Sequence, residues 1–457
     1  MRDRIQSQAR VCYAVLMRLE DLGLVGNCQF SALIENTGAV VWCCLPRFDS
    51  EPVFSSLLDE RDGGRFLVGA ADGSRGSQSY LDNSNVLETV FRTADGTFRV
   101  LDFAPRFQQH ERMFRPTQLF RIAEPPDGAP RIRVACEPRL GWSKAPPPVI
   151  QGSNHLQFDG FASPLRLTTD IPPSCLGGQP FALTERRHLA LTWGAPIEEP
   201  LPDLSERFLH GTTQYWRRWV KHCNIPPMFQ QEVIRSALTL KLHCFDDTGA
   251  IIAAMTTSIP EAAGSGRTWD YRYCWLRDAY YALEAFWLLG HFEERENFTV
   301  FLLNVAGDHP DLALAPLYRV DGGRDLDEHI LEHWPGFNGD GPVRIGNAAA
   351  QTQHDIFGEM VLALAPVFFD DRFSAERTPA ALALLERLAR KAIALAGTPD
   401  AGIWEHRTHA QPRTFSSLMS WAAADRMAAL AARHTPARAA DWHRAAEAIR
   451  DQIVARA

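Results

Sequence analysis

The feature of this sequence that most constrains its fold is a change in hydrophobic periodicity near residue 200. Before that point, short apolar runs alternate with turn residues, as in VLETVFRTADGTFRVLDFAP (residues 86–105), where Asp95-Gly96 is a strong hairpin signal. After it, apolar residues recur at helical spacing, as in LRDAYYALEAFWLLG (residues 276–290). The sequence therefore predicts an α+β multidomain protein.

The predicted parts are an antiparallel β-sandwich over residues 1–200, a linker with a helix over 201–225, and a helical domain over 226–457. The segment APIEEPLPDL (residues 195–204) marks the linker because it is rich in proline and acid. A chain of 457 residues is also too long to fold around a single hydrophobic core of ordinary size. We expect an array of antiparallel helices whose longer loops carry the functional residues.

Composition excludes several classes of partner. A net charge of −8 opposes nucleic-acid binding, which needs a basic face. No apolar run reaches the roughly 18 residues that a membrane span needs. The nine cysteines form no CxxC pair, which predicts reduced thiols and a cytoplasmic location. A homo-oligomer is compatible with this composition.

The loop RTWDYRYCWLRDA (residues 267–279) combines four aromatic rings with three arginines and two aspartates. Sugars suit such a site, because their C–H faces stack on rings while their hydroxyls need both donors and acceptors. Asp278 can accept two hydroxyls, and Arg277 can donate to one while neutralising Asp278. The alternative is an ordinary helix start, with a charge pair and rings packed into a domain interface.

A second loop, HWPGFNGDGPVRIGN (residues 333–347), again joins rings to charges, among them Trp334 and Arg344. Its alternative is a glycine-rich turn without function. The neighbouring HILEH (residues 329–333) matches the H-x-x-E-H zinc pattern. A zinc site needs a further, distant ligand that cannot be specified here, so we predict no metal and no cofactor.

A third loop, PDAGIWEHR (residues 399–407), places Glu405 directly after Trp404. A carboxylic acid beside an indole loses hydration, which favours the protonated form that a general acid needs. A lone glutamate is usually just solvated. Only the context of the other two loops makes Glu405 a candidate.

Taken together, these loops resemble family 15 glycoside hydrolases, the glucoamylase family with its bacterial trehalase and glucodextranase-like members. The resemblance runs along nearly the whole chain in six ordered blocks: NCQFSALIENTGAVVWCCLPRFDSEPVFSSLLD, TGAIIAAMTTSIPE, RTWDYRYCWLRDA, GPVRIGNAAAQTQHDIFGE, GIWEHR and SSLMSWAAADR. It implies an N-terminal β-sandwich followed by a catalytic (α/α)6 barrel.

The resemblance also implies roles for single residues. Glu405 corresponds to the general acid, while Arg277 and Asp278 correspond to the pair that holds the non-reducing sugar. Trp334 resembles a tryptophan that supports the acid. The implied substrate contacts besides that pair are Tyr271, Trp275, Trp334, Arg344 and Trp404.

Inverting hydrolysis needs a second carboxyl group, about 6.5–9.5 Å from the first. In this family the general base is a glutamate well downstream, and no internal glutamate of this chain matches its block. We therefore expect the base beyond residue 457 and a barrel that is truncated before its last helices.

The leading prediction is an enzyme that hydrolyses α-glucosidic bonds from the non-reducing end with inversion, acting on a small or oligomeric α-glucoside. The runner-up is a catalytically inactive sugar-binding or regulatory module, or an inactive fragment. The missing base favours the runner-up. The presence of Glu405, Arg277 and Asp278 favours the enzyme.

Overall fold

A computed structural model describes residues 16–307, 311–373 and 377–456. Up to residue 193 the described chain is built from antiparallel strands, and from residue 201 onward helices prevail. The predicted change from strands to helices near residue 200 is confirmed. Its physical basis is the switch from alternating to helical spacing of apolar residues.

The sheet-rich region contains a seven-stranded and an eight-stranded antiparallel sheet, together with one separate hairpin. Its strands, in chain order, are β1 (Leu22–Gly26), β2 (Ser31–Glu35), β3 (Ala39–Cys44), β4 (Pro52–Phe54), β5 (Phe66–Ala70), β6 (Ser77–Tyr80), β7 (Leu87–Thr93), β8 (Gly96–Phe103), β9 (Phe107–Gln109), β10 (Arg112–Phe114), β11 (Gln118–Gly128), β12 (Arg131–Cys136), β13 (Val149–Gln151), β14 (His155–Phe158), β15 (Leu165–Thr169), β16 (Phe181–Ala182) and β17 (Arg187–Trp193). The first sheet has the order β1-β2-β3-β5-β12-β16, with β4 paired to β3. The second sheet has the order β13-β14-β15-β17-β11-β8-β7-β6.

The two sheets enclose a single apolar core. Val68 and Val134 of the first sheet belong to the same buried cluster as Phe98 and Leu167 of the second. Strands β7 and β8 pair as a hairpin around Asp95, with Thr93 opposite Gly96, so the predicted hairpin is confirmed. Alternate side chains are buried along most of β7 and the first part of β8, which accounts for the alternating sequence pattern there, whereas the last four residues of β8 are all buried.

The helical region consists of α-helices, and some of the connections between them contain short two-stranded ribbons. The helices are α1 (Leu201–Lys221), α2 (Gln230–Leu242), α3 (Leu276–Leu288), α4 (Glu293–Gly307), α5 (Asp355–Phe369), α6 (Pro379–Leu395), α7 (Thr414–His434) and α8 (Pro436–Arg456). The ribbons pair β18 (Cys244–Phe245) with β19 (Ala250–Ile251), β20 (Cys274–Trp275) with β21 (Leu317–Tyr318), β22 (His329–Leu331) with β23 (Val343–Ile345), and β24 (Pro399–Asp400) with β25 (Gln411–Pro412). Among the described helices, none combines the length and apolar character needed to cross a membrane.

Helix α1 packs against both regions, although it takes no part in the core that the described residues form between the two sheets. Its first half packs Leu204 and Phe208 against the second sheet, and its second half places Trp216 and Val220 in the core of the helical region. The helix that we predicted inside a linker is therefore a packed element that joins the two regions. Helix α5 lies deepest in the helical region and packs against α3, α6 and α7.

Candidate active site

The segment before α3 presents aromatic rings to an open cavity of about 970 Å³. Trp269, Tyr271 and Trp275 line this cavity, whereas the intervening Asp270 and Arg272 are buried outside it as an ion pair at 2.7 Å. An extended chain turns successive side chains to opposite sides, which explains how rings and buried charges interleave in one short stretch. Because α3 begins immediately after these rings, its first turn adds Arg277 and Asp278 to the cavity wall.

Glu405 reaches the same cavity from the loop between α6 and α7. Its Oε1 accepts a hydrogen bond from the indole Nε1 of Trp275 at 2.9 Å and another from Nη2 of Arg277 at 2.9 Å. Within the described chain, both of these bonds reach Oε1, and none reaches Oε2. The carboxyl group is thus oriented through one oxygen while the other stays available to a ligand.

The backbone at Glu405 has a conformation that is unusual for a side-chain-bearing residue. Its φ is 51°, in the left-handed region, and its N–H donates to the carbonyl of Gly402 at 2.9 Å to close a tight turn. Such conformations cost about 1–3 kcal/mol, and they concentrate at functional sites. The surrounding loop therefore holds Glu405 in a position that its own backbone does not prefer.

Glu261 organises the rim of the cavity, and sequence reasoning missed it. Its Oε1 accepts hydrogen bonds from Nε1 of Trp269 and from the hydroxyl of Tyr271, each at 3.1 Å, and its Oε2 contacts Arg267. The hydrogen bond from Arg267 holds the pKa of Glu261 below its usual range. Burial, reinforced by the nearby Glu261, raises the pKa of Tyr271, so its phenol stays neutral.

Arg344 lies behind the cavity wall, where its guanidinium carbon is 4.8 Å from the centroid of the Trp269 ring. Arg407 lines the cavity and approaches the same ring at 3.9 Å. Both arginines pair with Glu328, at 2.8 and 2.9 Å. In this structure Arg344 therefore supports Trp269, and it is not among the residues that line the cavity.

Behind Arg277 the structure places further polar groups. Gln353 accepts from Nη1 of Arg277 at 2.9 Å, and Asp278 lies 3.7 Å from Nη2. Burial raises the pKa of Asp278, and the charge of Arg277 opposes that rise. Deeper still, Asp355 and Glu359 of α5 are fully buried, and their carboxyl oxygens have no hydrogen-bond partner among the described residues.

Burial has a large effect on the acids of α5. It raises the pKa of Asp355 to about 6, in spite of the attraction of Arg277. Burial also raises the pKa of Glu359 well above its usual range, and the neighbouring Asp355 adds to this. Burial therefore favours the protonated form of Glu359, which avoids an unpaired charge inside the helical core.

Six of the predicted site residues line one cavity: Tyr271, Trp275, Arg277, Asp278, Trp404 and Glu405. The expectation that Trp404 shields Glu405 does not fit, because Trp404 is 79% exposed and the indole that bonds Glu405 is that of Trp275. Neighbours in sequence point in different directions within this tight turn. The indole that contacts Glu405 comes instead from the segment before α3.

Trp334 lies outside the cavity, contrary to the prediction that it supports the acid and contacts substrate. Its Nε1 donates to the carbonyl of Trp142 at 3.1 Å, and its ring packs edge-on against that of Trp142 at 5.5 Å. The rings of Trp142 and Trp334 form one apolar cluster with Trp42 of the first sheet, and this cluster lies where the helical region contacts the sheet-rich region. Trp334 therefore has a packing role in this structure, at the contact with the sheet-rich region.

Sequence reasoning also missed Gln353 and Arg407 as members of the site. Both lie within blocks that carry the family resemblance, GPVRIGNAAAQTQHDIFGE and GIWEHR, and Glu261 is the last residue of a third such block, TGAIIAAMTTSIPE. Their polar character inside those blocks was the one feature of the sequence that could have identified them as site residues. Their partners are distant in sequence and could be identified only in three dimensions.

Two family models and several known proteins are similar in sequence to this chain. Residues 227–457 match the model of "Glycosyl hydrolases family 15", and residues 11–171 match a model described as "Trehalase-like, N-terminal". The trehalase of Mycolicibacterium smegmatis is 33% identical over 475 residues, covering 96% of this chain and 70% of that protein. The trehalase of Mycobacterium tuberculosis is 34% identical over 472 residues, covering 95% and 68%. Trehalase 1 of Sulfolobus acidocaldarius is 31% identical over 426 residues, covering 90% and 71%.

An identity of this size along nearly the whole chain, with a family match over the helical region, defines the class of protein. It is a glycosyl hydrolase of the α-glucosidase type that acts on α-glucosidic bonds. The chain belongs to glycosyl hydrolases family 15. The predicted family and the predicted class of reaction are confirmed, and the inactive module is not favoured.

Proposed function

We propose that this protein hydrolyses α,α-trehalose or a similarly small α-glucoside with inversion, and that Glu405 is the general acid. The observation that carries this proposal is the orientation of one carboxyl group. Trp275 and Arg277 both hold Oε1 of Glu405, which leaves Oε2 to carry a proton towards a glycosidic oxygen. The names of the relatives support trehalose as the first substrate to test.

The charges of the cavity suit a neutral sugar. Three carboxylates line it, those of Glu261, Asp278 and Glu405, and three guanidinium groups balance them, those of Arg267, Arg277 and Arg407. In the proposed subsite Asp278 accepts hydroxyl hydrogen bonds and Arg277 donates one. The faces of Tyr271, Trp275 and Trp404 stack on the C–H faces of the sugar.

In the proposed step, Oε2 of Glu405 donates its proton to the glycosidic oxygen while the bond from that oxygen to C1 breaks. Water attacks C1 from the opposite face and gives its proton to a general base. Glu261 is bound by three side chains and Asp278 is assigned to the sugar, so neither is assigned as the base. The expectation that the base lies beyond residue 457 stays a prediction.

We also infer that the two sheets form a β-sandwich and that the helices belong to an (α/α)6 barrel. The shared apolar core supports the first inference, and the succession of packed helices supports the second. The boundaries at residues 200 and 225 and the cytoplasmic location remain predictions from the sequence.

The anomers released from α,α-trehalose test the stereochemistry. Inversion yields one β-glucose from the attacked residue and one α-glucose from the leaving residue, whereas retention yields α-glucose only. Proton NMR spectra collected before mutarotation distinguish the two outcomes. Release of α-glucose alone would exclude the inverting mechanism.

The variant Glu405→Gln tests the acid. Loss of the donated proton is expected to lower kcat about 10²–10⁴-fold with little change in KM. Glu261→Gln keeps a hydrogen-bonding side chain at the rim and serves as the matched control, with a much smaller loss. Steady-state kinetics on trehalose measure both, and unchanged turnover in Glu405→Gln would exclude it as the acid.

A further inference from the structure

A second cavity, of about 580 Å³, lies between the sheet-rich region and the helical region. The segment before α3 contributes to both cavities, since Tyr271 lines the first while Arg272 and Tyr273 line the second. Ligand sites commonly have volumes of about 300–1,000 Å³ and occur preferentially between domains. The size and the place of this cavity therefore both suit a small ligand.

The sheet-rich region supplies three aromatic rings to this cavity, those of Trp142, Phe161 and Trp193. All three are only partly buried. Phe161 and Trp193 form a tilted pair with ring centroids 5.7 Å apart. Trp142 also packs against Trp42 and Trp334, but all three rings keep exposed surface in a concave site, which interface packing alone does not explain. Partly exposed rings of this kind form platforms for the C–H faces of sugars.

The polar lining of the cavity is rich in acceptors. Glu51, Asp325 and Asp327 line it, and no ion pair or hydrogen bond to their carboxylates occurs in the part of the chain that the structure describes. Arg319 lines it as well and adds donors, although it also lies 3.4 Å from Asp49. Ionised carboxylates only accept hydrogen bonds, and vicinal hydroxyl groups match their two oxygens.

The charge balance indicates which ligand chemistry fits. Four carboxylates line the cavity, those of Asp49, Glu51, Asp325 and Asp327, against the two guanidinium groups of Arg272 and Arg319. The resulting excess of negative charge opposes an anion such as phosphate. Neutral hydroxyl groups satisfy the free acceptors without that repulsion. Rings, free carboxylates and arginine donors in one concave site are complementary to a saccharide.

We propose that this cavity is a second saccharide-binding site, separate from the candidate active site and specific for a neutral di- or oligosaccharide. Trp142, Phe161 and Trp193 provide the stacking surface, and Glu51, Asp325 and Asp327 accept the hydroxyl groups. The proposal does not require Glu405 to be the general acid, because no residue of the second site takes part in the proposed reaction.

Hydrogen–deuterium exchange of the Glu405→Gln protein, with α,α-trehalose and separately with maltotriose, tests this site. At least one sugar is expected to slow exchange in residues 158–163 and 319–329, beyond any slowing in residues 403–408 around the candidate acid. Trp193→Ala is expected to abolish the first two effects and to leave the third unchanged. Slowing confined to residues 403–408 with both sugars would overturn the second site. No slowing at 403–408 would instead count against the proposed active site.

A second variant covers the case in which Trp193→Ala disturbs strand β17. The double variant Glu51→Gln, Asp325→Asn changes two exposed acids and keeps their shapes. It is expected to raise the sugar concentration for half-maximal protection at 158–163 and 319–329 about tenfold, the equivalent of about 1.4 kcal/mol. Glu60→Gln, at an exposed acid outside this cavity, is the control. An unchanged half-maximal concentration in the double variant would overturn the proposal.

Discussion

At the scale of single residues, the candidate acid depends on side chains that lie far from it in the sequence. Trp275 and Arg277 precede Glu405 by more than a hundred positions, and both donate to its Oε1. Trp404, its direct neighbour, is largely exposed. The orientation of the carboxyl group is therefore set by the start of α3 rather than by the loop that carries Glu405.

This arrangement predicts different consequences for two equivalent substitutions. Trp275→Phe keeps a ring in the cavity wall but removes an N–H donor to the carboxylate that forms as Glu405 gives up its proton. A hydrogen bond to a charged group contributes about 1.5–3 kcal/mol, so we expect kcat to fall about 10- to 150-fold. Trp404→Phe removes an exposed indole and is expected to change kcat less than about threefold. Steady-state kinetics with both variants measure the difference. Equal losses would contradict the proposed orientation of Glu405.

At the scale of elements, helix α5 places two acids inside the helical core. Asp355 and Glu359 are one turn apart on an otherwise apolar helix, so they lie on the same side of it. Their carboxyl groups have no hydrogen-bond partner in the described structure, and burial favours their neutral forms. Helical periodicity in this half of the sequence predicted an array of helices but gave no indication that the acids of α5 are buried.

Asp355 predicts a pH dependence of stability. Its folded-state pKa, about 6, lies above the value of about 3.9 in an unfolded chain. Protonation of Asp355 therefore stabilises the folded state. This contribution to the free energy of unfolding is fully present below about pH 4 and is lost as the pH rises through 6. Asp355→Asn removes the charge, so at pH 7.5 we expect it to be about 2–3 kcal/mol more stable than the parent protein, and nearly equal at pH 4.

Denaturant unfolding at the two pH values measures this difference. Asp425→Asn, at an exposed acid of α7, is the control and is expected to show the same stability relative to the parent at both pH values. A constant difference between Asp355→Asn and the parent at both pH values would argue against the burial effect.

At the scale of the whole molecule, buried ions connect the two regions. Arg106, which follows β8, reaches Asp246 beyond α2 at 2.6 Å, and Lys241 lies 3.1 Å from Glu294 and 3.5 Å from Asp246. Burial alone would raise the pKa of Asp246, but Lys241 and Arg106 hold it below its usual range. Helix α1 packs against the second sheet and into the core of the helical region, and together with this cluster it links the folding of one region to that of the other.

Loss of Arg106 is therefore expected to weaken the connection. Arg106→Ala leaves Asp246 with one fewer buried partner, and breaking a buried pair costs about 3–5 kcal/mol. Urea unfolding, followed by circular dichroism and by tryptophan fluorescence, is expected to change from coincident to separate transitions. Arg92→Ala, at an exposed arginine of β7, is the control. Coincident transitions and unchanged stability in Arg106→Ala would contradict the coupling.

Four features could be predicted from the amino-acid sequence without the structure: the order of a strand-rich and a helical region, the hairpin at Asp95-Gly96, the place of Arg277 and Asp278 in the first turn of α3, and the family. These features depend on local periodicity and on contiguous motifs, so they can be recognised without contacts. Three relations became visible only in three dimensions: Trp275 rather than Trp404 contacts Glu405, Trp334 packs against the sheet-rich region, and Glu261 organises the rim. Those relations join loops that are distant along the chain, and only the packing of helices and sheets brings them together.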